Sequence, residues 1–131
     1  MPQQSILVVD DEKLWHLVLG KFLGGAGYKV SAAATCAEGV RLVKLYKPDC
    51  ILLDFHLTDG DAVSVCSILK ADEATRKIPV IVFSSDPDVE ITAYAQCHAD
   101  YFLLKGPRSL ESLLIIIGKI LRPAFLAQSD A

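Results

Sequence analysis

The sequence has few aromatic residues, few charged residues and no long uncharged apolar run. Aromatic side chains make up 8% of its 131 residues and charged ones 22%, with a net charge of −3. No stripe of lysine and arginine accompanies a stripe of aromatics, so we expect no nucleic-acid interface on this domain. The most apolar stretch, residues 110–121, contains Glu111 and Lys119 and is too short to cross a bilayer, so no membrane association is expected.

Cysteine pairs and export signals are also lacking. Four cysteines stand at positions 36, 50, 66 and 97, none in a CxxC pair and none in a cysteine–histidine group with zinc spacing. Such thiols are expected to be buried and reduced. The N-terminal residues MPQQS lack the basic-then-apolar order of a signal peptide. Together these features predict a cytoplasmic location.

The sequence is rich in apolar residues, at 52%, and it arranges them in five short runs. The runs predict strands, and the stretches that follow them predict helices at about 12–24, 35–46, 62–71, 86–98 and 110–121. Thr35 is expected to cap the second helix, with Glu38 as its capping-box partner. The segment FHLTDGD at 55–61 is expected to be a polar loop. The five runs are SILVVD from 5, YKVSAAA from 28, DCILLD from 49, PVIVFS from 79 and DYFLLK from 100.

Five rounds of strand then helix predict an α/β fold with three layers. The fold class is a doubly wound (βα)5 domain around a five-stranded parallel sheet. The runs ILVV, CILL and VIVF are apolar throughout, as is typical of strands buried on both faces. We expect one domain over residues 1–122, followed at 123–131 by a tail or the start of a linker.

Ionisable and hydroxyl side chains stand where four of the predicted strands end. The first strand ends in Asp10 and Asp11, the third in Asp54, the fourth in Ser84 and the fifth in Lys105. Sites in parallel sheets form outside the carboxyl ends of the strands, so these groups are expected to converge. Carboxylates held within a few Å repel by roughly 4 kcal/mol per pair at an effective dielectric of about 20, which calls for a cation.

Mg²⁺ suits such a site because it takes oxygen ligands and binds phosphate. The set therefore predicts phosphoryl chemistry with a carboxylate nucleophile. Lys105 would place a positive charge, and Ser84 a hydroxyl donor, on the phosphoryl oxygens.

Four segments give the sequence a resemblance to the receiver domains of two-component response regulators. They are VVDDE at 8–12, ILLDFHLTDGDA at 51–62, IPVIVFSS at 78–85 and YFLLK at 101–105, and the resemblance covers about residues 5–122. It implies the flavodoxin-like strand order 2-1-3-4-5. It also implies a phosphorelay, in which a phosphohistidine on a histidine kinase or phosphotransfer protein donates its phosphoryl group to the domain.

The resemblance implies a set of chemical roles. Asp54 matches the phosphoacceptor of the family, and Lys105 matches the lysine that pairs with the phosphoryl group. Asp11 and Asp54 resemble direct Mg²⁺ ligands, together with the backbone carbonyl of His56. Asp10 matches the residue that holds a metal-bound water.

The resemblance also implies a conformational switch and residues that tune the lifetime of the phosphorylated state. Ser84 is similar to the hydroxyl that moves toward the phosphoryl group, and Phe102 occupies the aromatic position that turns inward on activation. His56 and Asp86 stand at positions that tune self-dephosphorylation, so we expect them to set the lifetime of the phosphorylated state.

The sequence departs from the family pattern at three places. Thr58 stands where the family usually has proline, and Ala62 where it often has glycine. Gly106 separates Lys105 from Pro107, where the family usually has Lys-Pro with a cis bond. Because cis bonds are essentially a proline phenomenon, we expect a trans bond after Lys105, or a loop rebuilt around the glycine. Gly106 in place of proline affects the direction in which the Lys105 side chain points. None of the three departures removes an acid, hydroxyl or ammonium that the chemistry needs.

Two helices have more apolar residues than one buried face needs. This excess predicts contact with a partner helix or a second copy of the chain, which would give a homodimer. In contrast, His16 and His98 are expected at the surface without a role. The apolar residues of the first helix are Leu14, Trp15, Leu17, Val18, Leu19, Phe22 and Leu23, and the last helix contains LESLLIIIGKIL.

Three other functions compete with this interpretation. A phosphohydrolase of the haloacid dehalogenase type would need a second aspartate where His56 stands, and room for a substrate cap. A pseudo-receiver would be a binding module that kept the fold and lost the chemistry. A flavin site would need glycine and hydroxyls where ILVVDDE offers carboxylates. Asp10 and Asp11 could also serve only to cap the first helix.

Overall fold

The uninterrupted apolar runs form the centre of a parallel sheet. The computed structural model describes residues 3–121, so the predicted tail or linker at 123–131 lies outside the described residues. In chain order the elements are β1 (Ser5–Val9), α1 (Lys13–Gly25), β2 (Lys29–Ala33), α2 (Cys36–Tyr46), β3 (Cys50–Leu53), β4 (His56–Leu57), β5 (Gly60–Asp61), α3 (Ala62–Lys70), β6 (Val80–Ser84), a 3₁₀ turn (Pro87–Val89), α4 (Glu90–Ala95), β7 (Tyr101–Leu104) and α5 (Ser109–Ile120).

The main sheet has five parallel strands in the order β2-β1-β3-β6-β7. Since β6 and β7 are the fourth and fifth strands of the sequence prediction, the predicted fold class and strand order are confirmed. The central strands β1, β3 and β6 are almost wholly buried, while the edge strands β2 and β7 are partly exposed. The parallel register aligns the carboxyl ends of the strands along one edge.

Helices cover both faces of the sheet and divide the core in two. Leu7 and Val9 of β1 face a cluster that includes residues of α2, α3 and α4. Ile6 and Val8 face the opposite cluster, which includes residues of α1 and α5. Fully burying one such side chain stabilises the fold by about 1.5–3 kcal/mol. All four cysteines are unpaired and buried, and burial raises the pKa of Cys36 to about 11 and that of Cys50 to about 12.

The region between β6 and β7 differs from its prediction. One helix was expected over 86–98, but a 3₁₀ turn and the six-residue helix α4 occupy this stretch. The Asp86 carboxylate accepts a hydrogen bond from the amide of Asp88, and Pro87 opens the 3₁₀ turn. At the other end α4 stops at Ala95, and three residues later His98 adopts a left-handed conformation with φ of 51°, which is not helical.

The structure adds detail to the loop at 55–61 and to the peptide bond after Lys105. The segment FHLTDGD contains a short antiparallel pair, in which His56 faces Asp61 and Leu57 faces Gly60. All peptide bonds across residues 3–121 are trans, as was expected for the bond after Lys105.

Thr35 caps α2 by accepting a hydrogen bond from the amide of Glu38. No helix in this described stretch is long and apolar enough to span a membrane.

Candidate functional site

Backbone hydrogen bonds continue past the strand ends and fix the residues that follow. The amide of Asp10 donates to the carbonyl of Ala33 at 3.0 Å, and the amide of Asp54 donates to that of Val9 at 2.9 Å. The amide of Lys105 donates to the carbonyl of Ser84 at 2.8 Å. These residues lie just outside the strands, yet the sheet still sets their positions. The predicted convergence at the carboxyl edge is therefore observed.

Lys105 bridges two carboxylates that lie far apart in the sequence. Its Nζ atom lies 2.8 Å from Oδ2 of Asp10 and 3.3 Å from Oδ2 of Asp54. The Lys105 side chain is only 5% exposed, so both contacts are shielded from water. A buried ammonium needs such partners, because an unpaired charge would be costly to bury. One cation thus joins the acids that follow β1 and β3.

Asp54 is buried at the centre of this group. Its Oδ1 atom accepts a hydrogen bond from the amide of Phe55 at 2.8 Å, which orients the carboxylate. Burial raises the pKa of Asp54 above its ordinary value, and the neighbouring charge of Asp10 adds to the effect. The positive charge of Lys105 opposes both. The site therefore holds a carboxylate whose negative charge depends on nearby cations.

Three carboxylates form an acidic group beside Lys105. Oxygens of Asp10, Asp11 and Glu12 all lie within 4.8 Å of one another. Asp10 is buried and its Oδ1 atom accepts from the amide of Glu12 at 2.9 Å, whereas Asp11 and Glu12 are exposed. Hard oxygen donors with solvent access on one side fit Mg²⁺, which usually keeps several waters. Glu12 had been considered only as the start of α1, and it is the new member of the acidic group.

Ser84 is buried at the end of β6, and its Oγ atom accepts from the amide of Asp86 at 3.2 Å. In the ladder between β6 and β7, Ser84 pairs with Leu104 and Val82 pairs with Phe102. Val82 and Ser84 are two residues apart on β6, so their side chains lie on the same face of the sheet. Because Phe102 pairs with Val82, its side chain shares that face with Ser84. Phe102 is half-buried and packs on the cluster beneath α2, α3 and α4.

A second pair crosses the carboxyl edge of the sheet. Nε2 of His56 lies 2.8 Å from Oδ2 of Asp86. This hydrogen bond and one from the amide of Asp88 hold the pKa of Asp86 below its ordinary value. The His56 side chain is exposed, as expected, but it has a partner that the sequence did not reveal.

Two neighbours of the site were missed. Nε2 of His16 donates to the backbone carbonyl of Asp10 at 2.6 Å, and His16 is half-buried, so its prediction as a surface residue was wrong. The ring of Trp15 lies 5.0 Å from Nζ of Lys105. Trp15 had been counted only as part of an apolar helix face. Its place four residues after Asp11, in the first turn of α1, was the available signal. His98 is exposed, as predicted.

The comparisons with known proteins agree on one family. A family model described as the response regulator receiver domain matches residues 6–117. A DNA-binding dual master transcriptional regulator from Synechocystis is 31% identical over 119 residues, which are 89% of this chain and 48% of that protein. The chain spans about half the length of the curated relatives that it matches.

Solved structures match over almost the whole chain. A two-component response regulator from Clostridium difficile is 27% identical with a TM-score of 0.82, and the match covers 92% of this chain and 97% of that one. The receiver domain of a sensor histidine kinase from Pseudomonas aeruginosa is 25% identical with a TM-score of 0.80, with 93% and 100% covered. That structure has a magnesium ion coordinated in its active-site cleft.

Proposed function

Because the chain belongs to the response regulator receiver domain family, we propose that it accepts a phosphoryl group onto Asp54 in a Mg²⁺-dependent reaction and then switches conformation. The donor would be a phosphohistidine on a histidine kinase or phosphotransfer protein. The observation that carries this proposal is the bridge from Lys105 to both Asp10 and Asp54, because it puts a buried cation beside the buried carboxylate that would act as the nucleophile.

The acids would divide between metal binding and attack. Asp11, Asp54 and the backbone carbonyl of His56 would hold Mg²⁺ directly, and Asp10 would hold it through a water. When bound, Mg²⁺ supplies positive charge that neutralises the incoming phosphoryl oxygens. The acidic group of Asp10, Asp11 and Glu12 supports a cation at this place. Asp54 is not part of that group and is joined to Asp10 through Lys105.

Transfer to Asp54 would proceed by displacement at phosphorus. A carboxylate oxygen of Asp54 forms a bond to phosphorus while the bond to the donor's imidazole nitrogen breaks, and the nitrogen keeps the electron pair. As negative charge moves from the Asp54 carboxylate to the phosphoryl oxygens, the Lys105 ammonium would stabilise it. Attack by water on the acyl phosphate would return the Asp54 carboxylate and release inorganic phosphate. The domain is thus a signalling phosphoacceptor that acts on itself, and not a classical enzyme.

The switch would begin at Ser84. Its hydroxyl hydrogen can turn toward phosphorylated Asp54, because Oγ is only an acceptor in its contact with the Asp86 amide. Phe102 would then turn into the space that Ser84 leaves. The face formed by α4, β7 and α5 would change its contacts as a population shift between two existing states. That face exposes several apolar side chains, namely Ile91, Tyr94, Tyr101, Leu104 and Ile115.

Partner contact is expected on the apolar helices. Leu14 and Leu17 of α1 are 66% and 64% exposed, and their spacing places them on the same face of the helix. Ile115 of α5 is also largely exposed. A homodimer through one of these faces stays a prediction. Light scattering at high concentration, before and after phosphorylation, tests it, and a monomer in both states would contradict it.

The remaining expectations concern the rest of the chain. We propose that residues 1–122 form the receiver domain, that residues 123–131 are a tail or the start of a linker, and that the domain works in the cytoplasm without contacting nucleic acid or membrane itself. The pseudo-receiver alternative is not favoured. The acids, the hydroxyl and the ammonium are all present, and Lys105 reaches both carboxylates despite Gly106.

Intact-mass measurement after incubation with Mg²⁺ and acetyl phosphate tests the proposal. The wild-type protein is expected to gain one phosphoryl group, and the Asp54→Asn variant none. The matched control is Asp88→Asn, which removes an exposed carboxylate outside the site and should be phosphorylated normally. Omitting Mg²⁺ should abolish the gain in mass. A wild-type protein that gains no phosphate, or an Asp54→Asn variant that still gains it, would overturn the proposal.

A further inference from the structure

The ammonium of Lys105 has carboxylates as one set of neighbours and aromatic rings as another. Its Nζ atom lies 5.0 Å from the centre of the Trp15 ring and 5.7 Å from that of Phe83. Both distances fall within the reach of a cation–π contact, which is strengthened when the cation is shielded from water. With its side chain only 5% exposed, Lys105 meets that condition.

The two rings support each other. Trp15 and Phe83 meet edge to face, with ring centres 5.2 Å apart and planes at 84°. Phe83 is fully buried in β6, directly before Ser84, so it gives the indole a rigid neighbour. The amide of Trp15 donates to the carbonyl of Glu12 in the first turn of α1. The helix that begins at the acidic group therefore also carries the indole.

The backbone after Lys105 gives the lysine little restraint. A Cβ atom added at Gly106 would meet nothing within 4 Å, so no packed neighbour confines the chain there. The carbonyl of Gly106 accepts hydrogen bonds from the amide and the hydroxyl of Ser109, which tie it to the start of α5 rather than to the site. A long, flexible lysine side chain that follows a strand end must be aimed by its side-chain surroundings.

We propose that Trp15 is a positioning residue for phosphoryl transfer: its indole, braced by Phe83, holds the Lys105 ammonium where it bridges Asp10 and Asp54. The inference rests on the proposed function of Asp54 as phosphoacceptor. Trp15 touches neither the phosphoryl group nor the metal, and it acts through Lys105. Removing the indole leaves the charges in place but widens the range of positions that the ammonium samples.

The kinetic test compares single and double variants in Mg²⁺ and acetyl phosphate. Trp15→Leu keeps an apolar side chain but removes the aromatic ring, and it should slow phosphorylation of Asp54 by about two- to thirtyfold, the range from an exposed to a shielded cation–π contact. Trp15→Phe should slow it less, because phenylalanine keeps a weaker aromatic face. In a Lys105→Ala background, Trp15→Leu should cause no further slowing, because the group that it positions is gone.

A matched control separates positioning from packing. Phe22→Leu makes the same kind of change in the same helix, at a half-buried residue that packs on the same core but has no place in the site. It should leave the phosphorylation rate unchanged. Urea unfolding of each variant reports any loss of stability. If Trp15→Leu fails to fold, the Trp15→Phe comparison in the two Lys105 backgrounds decides the question.

A second readout does not depend on phosphorylation. The Lys105 side-chain protons in the NMR spectrum should be shifted by the ring current of the indole, and Trp15→Leu should reduce that shift to the part due to Phe83 while Phe22→Leu preserves it in full. Equal slowing by Trp15→Leu with and without Lys105, or an unshifted Lys105 in the wild-type protein, would overturn the inference. A wild-type protein that never gains phosphate would instead refute the proposed function, and the positioning role with it.

Discussion

The Nε2 atom of His56 and the Oδ2 atom of Asp86 lie 2.8 Å apart, which joins the segment after β3 to the turn after β6. Each residue stands two positions after a proposed site residue, Asp54 or Ser84. The contact therefore spans the carboxyl edge beside the proposed acyl phosphate. We propose that this pair restricts the approach of the water that would hydrolyse that phosphate.

Substitution of either member should shorten the lifetime of the phosphorylated state. We expect His56→Ala and Asp86→Ala each to speed decay by up to about fivefold, the range for an exposed ion pair. The double variant should decay no faster than the faster single variant, because each change breaks the same contact. Timed intact-mass measurements after removal of the donor give the rates. Unchanged decay in both single variants, or effects that multiply in the double variant, would show that the pair does not act as a unit.

Asp59 should make stability depend on pH through the start of α2. Its Oδ1 and Oδ2 atoms accept from the amides of Cys36 and Ala37 at 2.7 and 3.1 Å, and these bonds hold the pKa of Asp59 below its ordinary value. A carboxyl whose pKa is lowered in the folded state stabilises the fold above its unfolded pKa of about 3.9. The contribution is lost as the pH falls through the lower, folded value.

The measurement compares wild type with Asp59→Asn by urea unfolding at several pH values. At neutral pH the wild type should be the more stable, because the carboxylate accepts two amide bonds at the positive end of a helix. Below about pH 4 the difference should shrink. Asp59→Ala, which removes both acceptors, should be less stable than Asp59→Asn at neutral pH. A difference between wild type and Asp59→Asn that stays constant down to acid pH would be the contrary result.

Gly39 lets α2 approach β1 closely. An ideal Cβ atom at this position would lie 3.0 and 3.1 Å from the two γ-carbons of Val9. Gly39→Ala should therefore lower the free energy of unfolding by about 1 kcal/mol, because overpacking costs about 1–3 kcal/mol and the gain in helix propensity returns about 1. Gly20→Ala in α1 is the matched control, since its Cβ would meet nothing within 4 Å. That change should stabilise the protein by about 0.5–1 kcal/mol, and stabilisation by both substitutions would rule out the close contact.

Tyr94 links α4 to β7, the strand that contains the proposed switch residue Phe102. Its hydroxyl oxygen accepts a hydrogen bond from the amide of Phe102 at 2.9 Å. Tyr94→Phe should speed hydrogen exchange at the Phe102 amide and lower stability by about 0.5–1.5 kcal/mol. The amide of Lys105, which bonds to the carbonyl of Ser84, is the internal reference and should keep its rate. Unchanged exchange at Phe102 would mean that the hydroxyl bond adds no protection.

The convergence of the site was predictable because it follows from the backbone. Uninterrupted apolar runs indicate parallel strands, and parallel strands bring their carboxyl ends to one edge. Asp10, Asp54 and Lys105 each follow a strand directly, so their position needs no knowledge of side-chain packing. The ladder bonds past the strand ends show why this reasoning works.

The contacts within the site were not predictable, because they depend on packing between distant elements. The bond from His16 to the carbonyl of Asp10 requires the exact path of the chain into α1. The length of α4 was overestimated for a similar reason. The apolar pattern continues beyond both ends of the helix, and it does not show that Asp86 turns the chain or that His98 is left-handed.

The buried thiols make the protein convenient for attaching probes. Reagents that label cysteine need an accessible thiolate, and all four native cysteines are buried in the core. A single new cysteine on the exposed surface of α4 or α5 would then react alone under native conditions. A fluorescent or spin label placed there could follow the motion of that face without removing any native cysteine.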